Sequence, residues 1–391
     1  DSPGFEPGAS YASADGLHRT ADGGPPRRCS AKHLRLPRGY DPSSLPATRA
    51  FGGKTTMNAT PPHEAMNRYL KDKSTDVTDS TRSNYQTTLK IFCDWLTDKG
   101  GVETLNKLTS DEIQRFKEWR LEDVQTITLK TDMTCIKGFI RFCEHINAVP
   151  DGMNQLVRIP KPNPEDEVSD DILTRDEATE ILDYLEKHEY ASLRHVIFAV
   201  LWKTGMRRSS LYALDKRDFK DGASPYLRVR HRPDTKTPLK NKRKGERDVR
   251  ISGGVADIIR DYLRFNHPDE EADHGRTPLL MSTHGKRCEP STIQRNVYTV
   301  TRPCHYTGEC PMDRDINECE ATSYNTASKC PASISPHALR RGYVTEALNA
   351  GQPKEVTADR VDMTHDIMEK HYDKATKNEQ MERREDYLKD I

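Results

Sequence analysis

The 391-residue sequence has no apolar run near the ~20 residues that a membrane-spanning helix needs, and no charged-then-apolar leader opens it. Neither a spanning nor an exported chain is therefore expected. It also lacks a charge excess: Lys+Arg and Asp+Glu each number 61, so nothing global announces a polyanionic partner, and local clustering must decide. Apolar residues are scarce, at 34% against 31% charged, which fits a soluble protein with small cores and long solvated helices. Without an export signal, the nine cysteines are expected to stay reduced in a cytosol. The length suits two domains plus a tail.

Residues 1–56, rich in Gly, Pro, Ser and Ala without periodicity, read as a disordered leader. Its segment GFEPG at 4–8 has two readings. Its codons can spell a sequence resembling the T-arm of a transfer-RNA gene, which would make the leader a translated attachment site and Met57 the natural start. An ordinary disordered extension fits equally well. From 57 to 150 three helical stripes follow. Tyr85, Leu89, Phe92 and Leu96 keep a 3.6-residue period, with Ser80 or Thr81 as cap. TSDE at 109–112 is a capping box opening a helix with Ile113 and Phe116 on one face. Leu129, Met133, Ile136, Ile140 and Cys143 form the third stripe, and a compact helical bundle is expected.

A linker is expected over 151–172, where RIPKPNPEDEVSDD cannot continue a helix. A second capping box, Thr174 to Glu177, opens the next domain, 173–391. Helices dominate there, but YLRVRH and RDVRIS alternate and predict a β-hairpin over 226–252, and TPLLMST before Gly285 is a candidate short strand.

Several pieces could carry chemistry. VIFAVLWKTGMRRSSLYAL, 196–214, is a buried helix broken at Thr204-Gly205 with arginines just beyond; alone, it equally describes a surface arginine after a helix break. Between Pro225 and Arg250 there are ten Lys/Arg against three Asp/Glu, either a solvated face or a phosphate clamp. SISPHALRRGYVTEALNAG, 333–351, has a Ser335 cap, Pro336 at the first helical position, Gly351 at the end, and Leu339, Tyr343 and Ala347 toward the core. His337 and Arg340 share one face of its first turn, where amide donors favour an anion. Near the carboxyl end Tyr372 stands in a polar segment that Ile367 and Met368 are expected to dock.

Taken in order, TGMR at 204–207, the lysine-rich hairpin, HALR at 337–340 and HY at 371–372 resemble the R…K…H-x-x-R…Y set of the tyrosine recombinases, the phage-integrase family. The resemblance covers roughly 60–385. TGMRRSSLYAL is similar to the pattern T-G-x-R-x-x-E-L-x-x-L, SPHALRRGYVTEALNAG to H-x-L-R-R followed by a helix ending in Gly, and VDMTHDIMEKHY to L-G-H with the tyrosine nine positions on. The segments TPLKN…GER and HYD are similar to those of haloarchaeal relatives. This likeness implies a mainly α fold with a small β-hairpin or sheet. A helical, SAM-like core-binding domain would precede an α+β catalytic domain.

It also implies site-specific DNA recombination, serving a mobile element, without catalytic metal or ATP, by a homo-oligomer assembled on double-stranded DNA. Tyr372 would attack the scissile phosphate to give a 3′-phosphotyrosyl link. Arg207 and Arg340 would stabilise the developing charge, and His337 would accept or share the tyrosine proton. A hairpin lysine, Lys240 ahead of Lys242, would protonate the leaving 5′-oxygen. Lys236, Arg243, Lys244, Arg247 and Arg341 are the expected DNA contacts. A chromosome-dimer-resolving recombinase would share this machinery, and an inert DNA-binding relative stays open. Two positions depart from the pattern: Met363 stands at the second histidine, with His365 or His371 as possible substitutes, and Ser210 stands at the usual acidic position.

The stretch 304–330 is an insertion relative to that family. Its Cys304, Cys310, Cys319 and Cys330 suit a tetrahedral structural zinc site, although gaps of five, eight and ten residues are not paired C-x₂-C spacings, and reduced loop cysteines fit as well. Cys29, Cys93, Cys135, Cys143 and Cys288 read as structural or incidental.

Overall fold

A computed structural model of the chain describes residues 57–163, 171–268 and 273–371, with Lys377 and Met381 singly beyond. The leader, the acidic centre of the linker, Tyr372 and the side chain of His371 lie outside the described residues.

The amino-terminal lobe is all helix: α1 (Pro62–Asp72), α2 (Asp79–Asp98), α3 (Ser110–Asp123), α4 (Thr126–His145) and the single turn α5 (Met153–Leu156). The three stripes face inward as their period requires. Leu89, Phe92, Leu96, Met133, Ile136 and Ile140 are fully buried, and each contributes about 1.5–3 kcal/mol of transfer free energy. An aromatic cluster fills the middle, with Phe92 and Phe116 edge to face at 4.9 Å. Thr109 and Glu112 form the expected capping box. The cap of α2 is Thr78, whose hydroxyl accepts from the Thr81 amide, and not Ser80 or Thr81. Met153 and Val157 are buried in this core and Ile159 packs against it, so the first hydrophobic core extends past 150 into the stretch read as linker.

The second lobe opens with α6 (Arg175–His188), capped reciprocally by Thr174 and Glu177. The apolar helix α7 (Leu193–Thr204) runs through its core, and the short α8 (Arg208–Tyr212) follows the break. The predicted hairpin is present as β2 (Tyr226–Val229) antiparallel to β3 (Arg247–Arg250), with Leu227 opposite Val249. A two-residue strand too short to leave a periodic signal, β1 (Phe219–Lys220), completes a three-stranded sheet in the order β1-β2-β3. TPLLMST is not a strand. It makes only isolated bridges, Asp215 with Pro278 and Met281 with Arg287, and buries Leu279, Leu280 and Met281. Then come α9 (Gly253–Asp261), α10 (Pro290–Val300), α11 (Pro303–Tyr306), α12 (Pro336–Asn349), α13 (Lys354–Val361) and α14 (His365–His371). No helix among the described residues is long and apolar enough to cross a membrane.

Helix α12 lies against α7 at a glycine. A methyl group on Gly342 would stand 2.2 Å from the Leu173 carbonyl and 2.7 Å from the Trp202 ring, so only hydrogen fits. Ala347 is half-buried, at the edge of the face that Leu339, Val344 and Leu348 bury. Gly342→Ala is expected to lower unfolding free energy by about 1–3 kcal/mol, the cost of overpacking, as read by urea denaturation. An unchanged midpoint would show that the two helices can separate freely.

Candidate active site

Four distant segments meet at one place in the second lobe. The first is the end of α7. Gly205 takes φ +61, and a Cβ there would meet the Tyr343 ring at 2.2 Å. This left-handed residue stops the helix and turns Met206 into the core, so that Arg207 emerges extended as the cap of α8 with a part-buried side chain.

The second is α12. Ser335 accepts from the Ala338 amide, which starts the helix so that His337 and Arg340 fall on one face. Arg340 is 1% exposed, and its Nη1 donates to the carbonyls of Gly205 at 2.7 Å and Val361 at 2.6 Å. Burial pushes His337 down to about 4, helped by the positive fields of Arg341, Arg340, Lys240 and Arg207. The bonds of Arg340 to Gly205 and Val361 hold α12 against the break that carries Arg207, so both guanidiniums named from the sequence share one region with His337, whose imidazole is neutral at pH 7.

The third segment is the hairpin. Its turn is fixed from below by Asp215, 1% exposed, which accepts from Arg276 at 2.7 and 2.8 Å and from Arg287 at 2.6 Å. Burial alone would raise that carboxyl; the hydrogen bonds and charges of Arg276 and Arg287 take it below its ordinary value. Arg276 also bonds Thr237, and Arg232 grips Asp218 at 2.6 and 2.7 Å. Held this way, Leu239 enters the core and its amide donates to His231 Nδ1 at 3.0 Å, leaving Lys240 exposed beside it. Lys242 starts a tight turn and, with Arg243 and Lys244, lines an open basic cleft beside Arg217 and Arg232. Lys236 is exposed at a left-handed position earlier in the loop.

Two expected DNA contacts are differently employed. Arg247 is not an open surface cation: its Nε and Nη1 donate to the carbonyls of Arg360 and Gly245, each at 2.9 Å, which ties β3 to α13. Arg341 donates to the Asp171 carbonyl at 2.8 Å, where the linker enters the lobe.

The fourth segment follows α13. Met363 is half-buried and packs against the cluster of Val344, Leu348, Ala358 and Val361, and His365 is exposed at the start of α14. Met368 is fully buried and docks α14; Ile367, expected to share that task, is 46% exposed because the next position along a helix is turned about 100° away from the docked face. The sequence reading missed Asp362, which reaches back to Arg207. It also missed Arg360, whose Nε donates to Tyr343 Oη at 2.6 Å and so clamps the ring over Gly205.

In the insertion, Cys304, Cys310, Cys319 and Cys330 line one small closed cavity with Arg302 and Met312. All four are free and half-buried. Burial raises the Cys304 thiol, and the other three cysteines act in the same direction. Among the described residues, no group of three or more His, Cys, Asp or Glu is placed to hold a metal ion. Cys93, Cys135 and Cys288 are buried, and burial holds their thiols up at about 12.

The depressed His337 has a consequence for pH. Its folded value, about 4, lies below its ordinary 6.5, so its contribution to stability is complete above 6.5 and is lost as pH falls toward 4. Buried His195, also held at about 4, acts in the same direction. The histidine resonance that disappears in His337→Gln should titrate near pH 4 in the free protein; titration near 6.5 would show an open, weakly charged site.

The sequence pattern of the Phage integrase family matches residues 171–379, and that of the Phage integrase N-terminal SAM-like domain matches 67–146. A relative from Chlamydia trachomatis, tyrosine recombinase XerC, is 25% identical over 256 residues, 62% of this chain and 65% of the relative. The chain thus spans about two-thirds of the length of that relative. Among solved structures, the Tn1549 transposon integrase in complex with a circular intermediate DNA is similar at a TM-score of 0.56 and 14% identity, covering 84% of this chain and 99% of that one. A lambda integrase dimer bound to a COC′ core site gives a TM-score of 0.55 at 16% identity, covering 81% and 78%. At such identities the likeness is one of fold, and it agrees with the helical lobe followed by a helical lobe with a small sheet. With both lobes matched in order, the catalytic pattern over more than half of the sequence, the chain belongs to the phage integrase family.

Proposed function

We propose that the protein is a site-specific DNA recombinase that cuts and rejoins double-stranded DNA through a 3′-phosphotyrosyl intermediate. The observation that carries this reading is the Arg340 guanidinium bonded to the carbonyls of Gly205 and Val361, which holds the helix that carries His337 and Arg340 against the break that carries Arg207. Two guanidiniums beside one neutral imidazole, within the positive field of Lys240, suit a phosphodiester that gains charge in its transition state. Helix α14, docked by Met368, leads directly into Tyr372.

In the reaction, the Tyr372 oxygen bonds to phosphorus as the P–O5′ bond breaks. The phenolic proton passes to His337, and Lys240 supplies the proton that the leaving 5′-oxygen takes. Phosphodiester energy is retained in the new bond, so rejoining is the same step reversed. Lys240 is preferred to Lys242 because it stands exposed beside buried Leu239 with its positive field falling on His337, whereas Lys242 lines the neighbouring cleft. That cleft, with Arg243 and Lys244, suits flanking backbone phosphates. DNA-bound oligomers of lambda integrase support assembly of several copies on DNA. Integration or excision of a mobile element is supported by the transfer-RNA-like reading of GFEPG at 4–8, an archaeal host by the haloarchaeal-type segments, and a place at the nucleoid only by the proposed action on DNA.

A nicked suicide substrate tests the chemistry. The protein should form a covalent adduct that Tyr372→Phe abolishes, and Arg207→Ala should bind DNA yet form adduct about 10²–10³ times more slowly. Tight binding without any adduct would make the protein an inert binder. Lys240→Ala should slow cleavage by about 10²–10⁴, and sulfur in place of the leaving oxygen should restore it, since a thiolate leaves without a proton. Rescue of Lys242→Ala instead would move the general acid to Lys242.

For the insertion we propose a structural Cys₄ zinc site. What supports it is four thiols lining one cavity, a donor set of the right chemistry that must draw together around the ion. Elemental analysis should find one zinc per chain, lost in the Cys310→Ser, Cys319→Ser variant; well under one equivalent would reject the site.

A further inference from the structure

The cationic pocket already contains an anion, and it belongs to the chain. Asp362 Oδ2 stands 2.5 Å from Arg207 Nη1 and 4.0 Å from Arg247 Nη1, while Oδ1 accepts from Asn241 Nδ2 at 2.9 Å. The Gly245 backbone closes the remaining side so tightly that a Cβ there would meet Oδ2 at 3.0 Å. Asp362 is 15% exposed in its side chain and Arg207 18%, so the pair is largely withdrawn from water. The carboxylate thus bridges the helix break, the hairpin turn and the end of α13.

The backbone at this position is informative. Asp362 has φ +58, a left-handed conformation that glycine adopts freely and most side chains avoid. It is also the position where the L-G-H pattern carries glycine. Glycine would satisfy the turn without strain but would leave Arg207 without this partner. Aspartate is among the few residues that tolerate the conformation, and it adds a two-oxygen anion of the same charge as a phosphodiester.

We propose that the Asp362 carboxylate occupies the phosphate subsite of Arg207 in the free protein, so that the scissile phosphodiester binds by displacing it. The inference rests on the recombinase reading for the identity of the anion. Its physical content is a competition: one guanidinium with one short ionic contact, sought by an internal carboxylate and an external phosphate. While the carboxylate is in place it offsets the mutual repulsion of Arg207 and Arg247. When DNA arrives, the carboxylate must swing toward Asn241 and solvent, so cleavage waits for a phosphate able to take its place. The alternative is a constant brace, in which Asp362 holds Arg207 in its working orientation and never leaves.

Inorganic sulfate, a tetrahedral dianion, separates the two in the full chain without any cleavage. Displacement predicts that Asp362→Asn, which keeps the shape, and Asp362→Gly, which relieves the backbone, both gain more thermal stability from added sulfate than the unaltered protein does. It also predicts that Arg207→Ala in either background abolishes the extra gain. DNA affinity of Tyr372→Phe should rise roughly tenfold when Asp362→Asn is added, with the salt dependence steeper by about one counterion. Equal sulfate responses in all proteins, or weaker DNA binding in both Asp362 variants, would establish the brace and overturn displacement. If sulfate and DNA behave as predicted but no adduct forms in the unaltered protein, the subsite stands and the recombinase reading falls.

Discussion

Arg340 is the largest fully buried side chain among the described residues, and its guanidinium joins the backbone of the α7 break to the end of α13. A charge so far from water is tolerated only where carbonyl dipoles replace its hydration. Those dipoles exist because Gly205 ends α7 in a left-handed turn and Val361 ends α13 just before another, at Asp362. The same ion therefore fixes the two chain reversals that deliver Arg207 and the entry to α14. Tyr343, one turn along α12, closes over Gly205 and is pinned by Arg360, so helix, break and reversal form one unit.

Gathering cations at one place is costly, and the fold manages that cost differently above and below the hairpin. Below, Asp215 and Asp218 neutralise Arg276, Arg287 and Arg232 as buried, hydrogen-bonded pairs that do not compete with an incoming anion. Above, the repulsion is met by leaving His337 uncharged and by one carboxylate, Asp362, on Arg207. The buried pairs set where Lys240 stands; the exposed side keeps its cations available.

Much of this was legible in the sequence where a local rule acts. Capping boxes at Thr109 and Thr174 and the stripes of α2 and α4 follow from spacing alone, since 3.6-residue periodicity is a property of neighbours. The motif residues Arg207, His337 and Arg340 were singled out by the resemblance of their segments taken in order, because a helix break or start beside an arginine also describes an ordinary surface. The failures share a cause as well. β1 is two residues long, TPLLMST is apolar yet finds no ladder partner, and Ile367 differs from Met368 only in which face α14 presents. Each depends on a partner far along the chain.

The sequence by itself determined the order of the lobes, the helix boundaries set by caps and glycines, and the residue types offered to a phosphate. Only the tertiary structure decided which cations share a pocket. Arg247 became a tie between β3 and α13, Lys242 was turned to the basic cleft, and Asp362 was returned 155 positions along the chain to Arg207. The reason is range. Propensity, capping and periodicity act over a few residues, whereas burial and electrostatics act on whichever charges the completed core brings together.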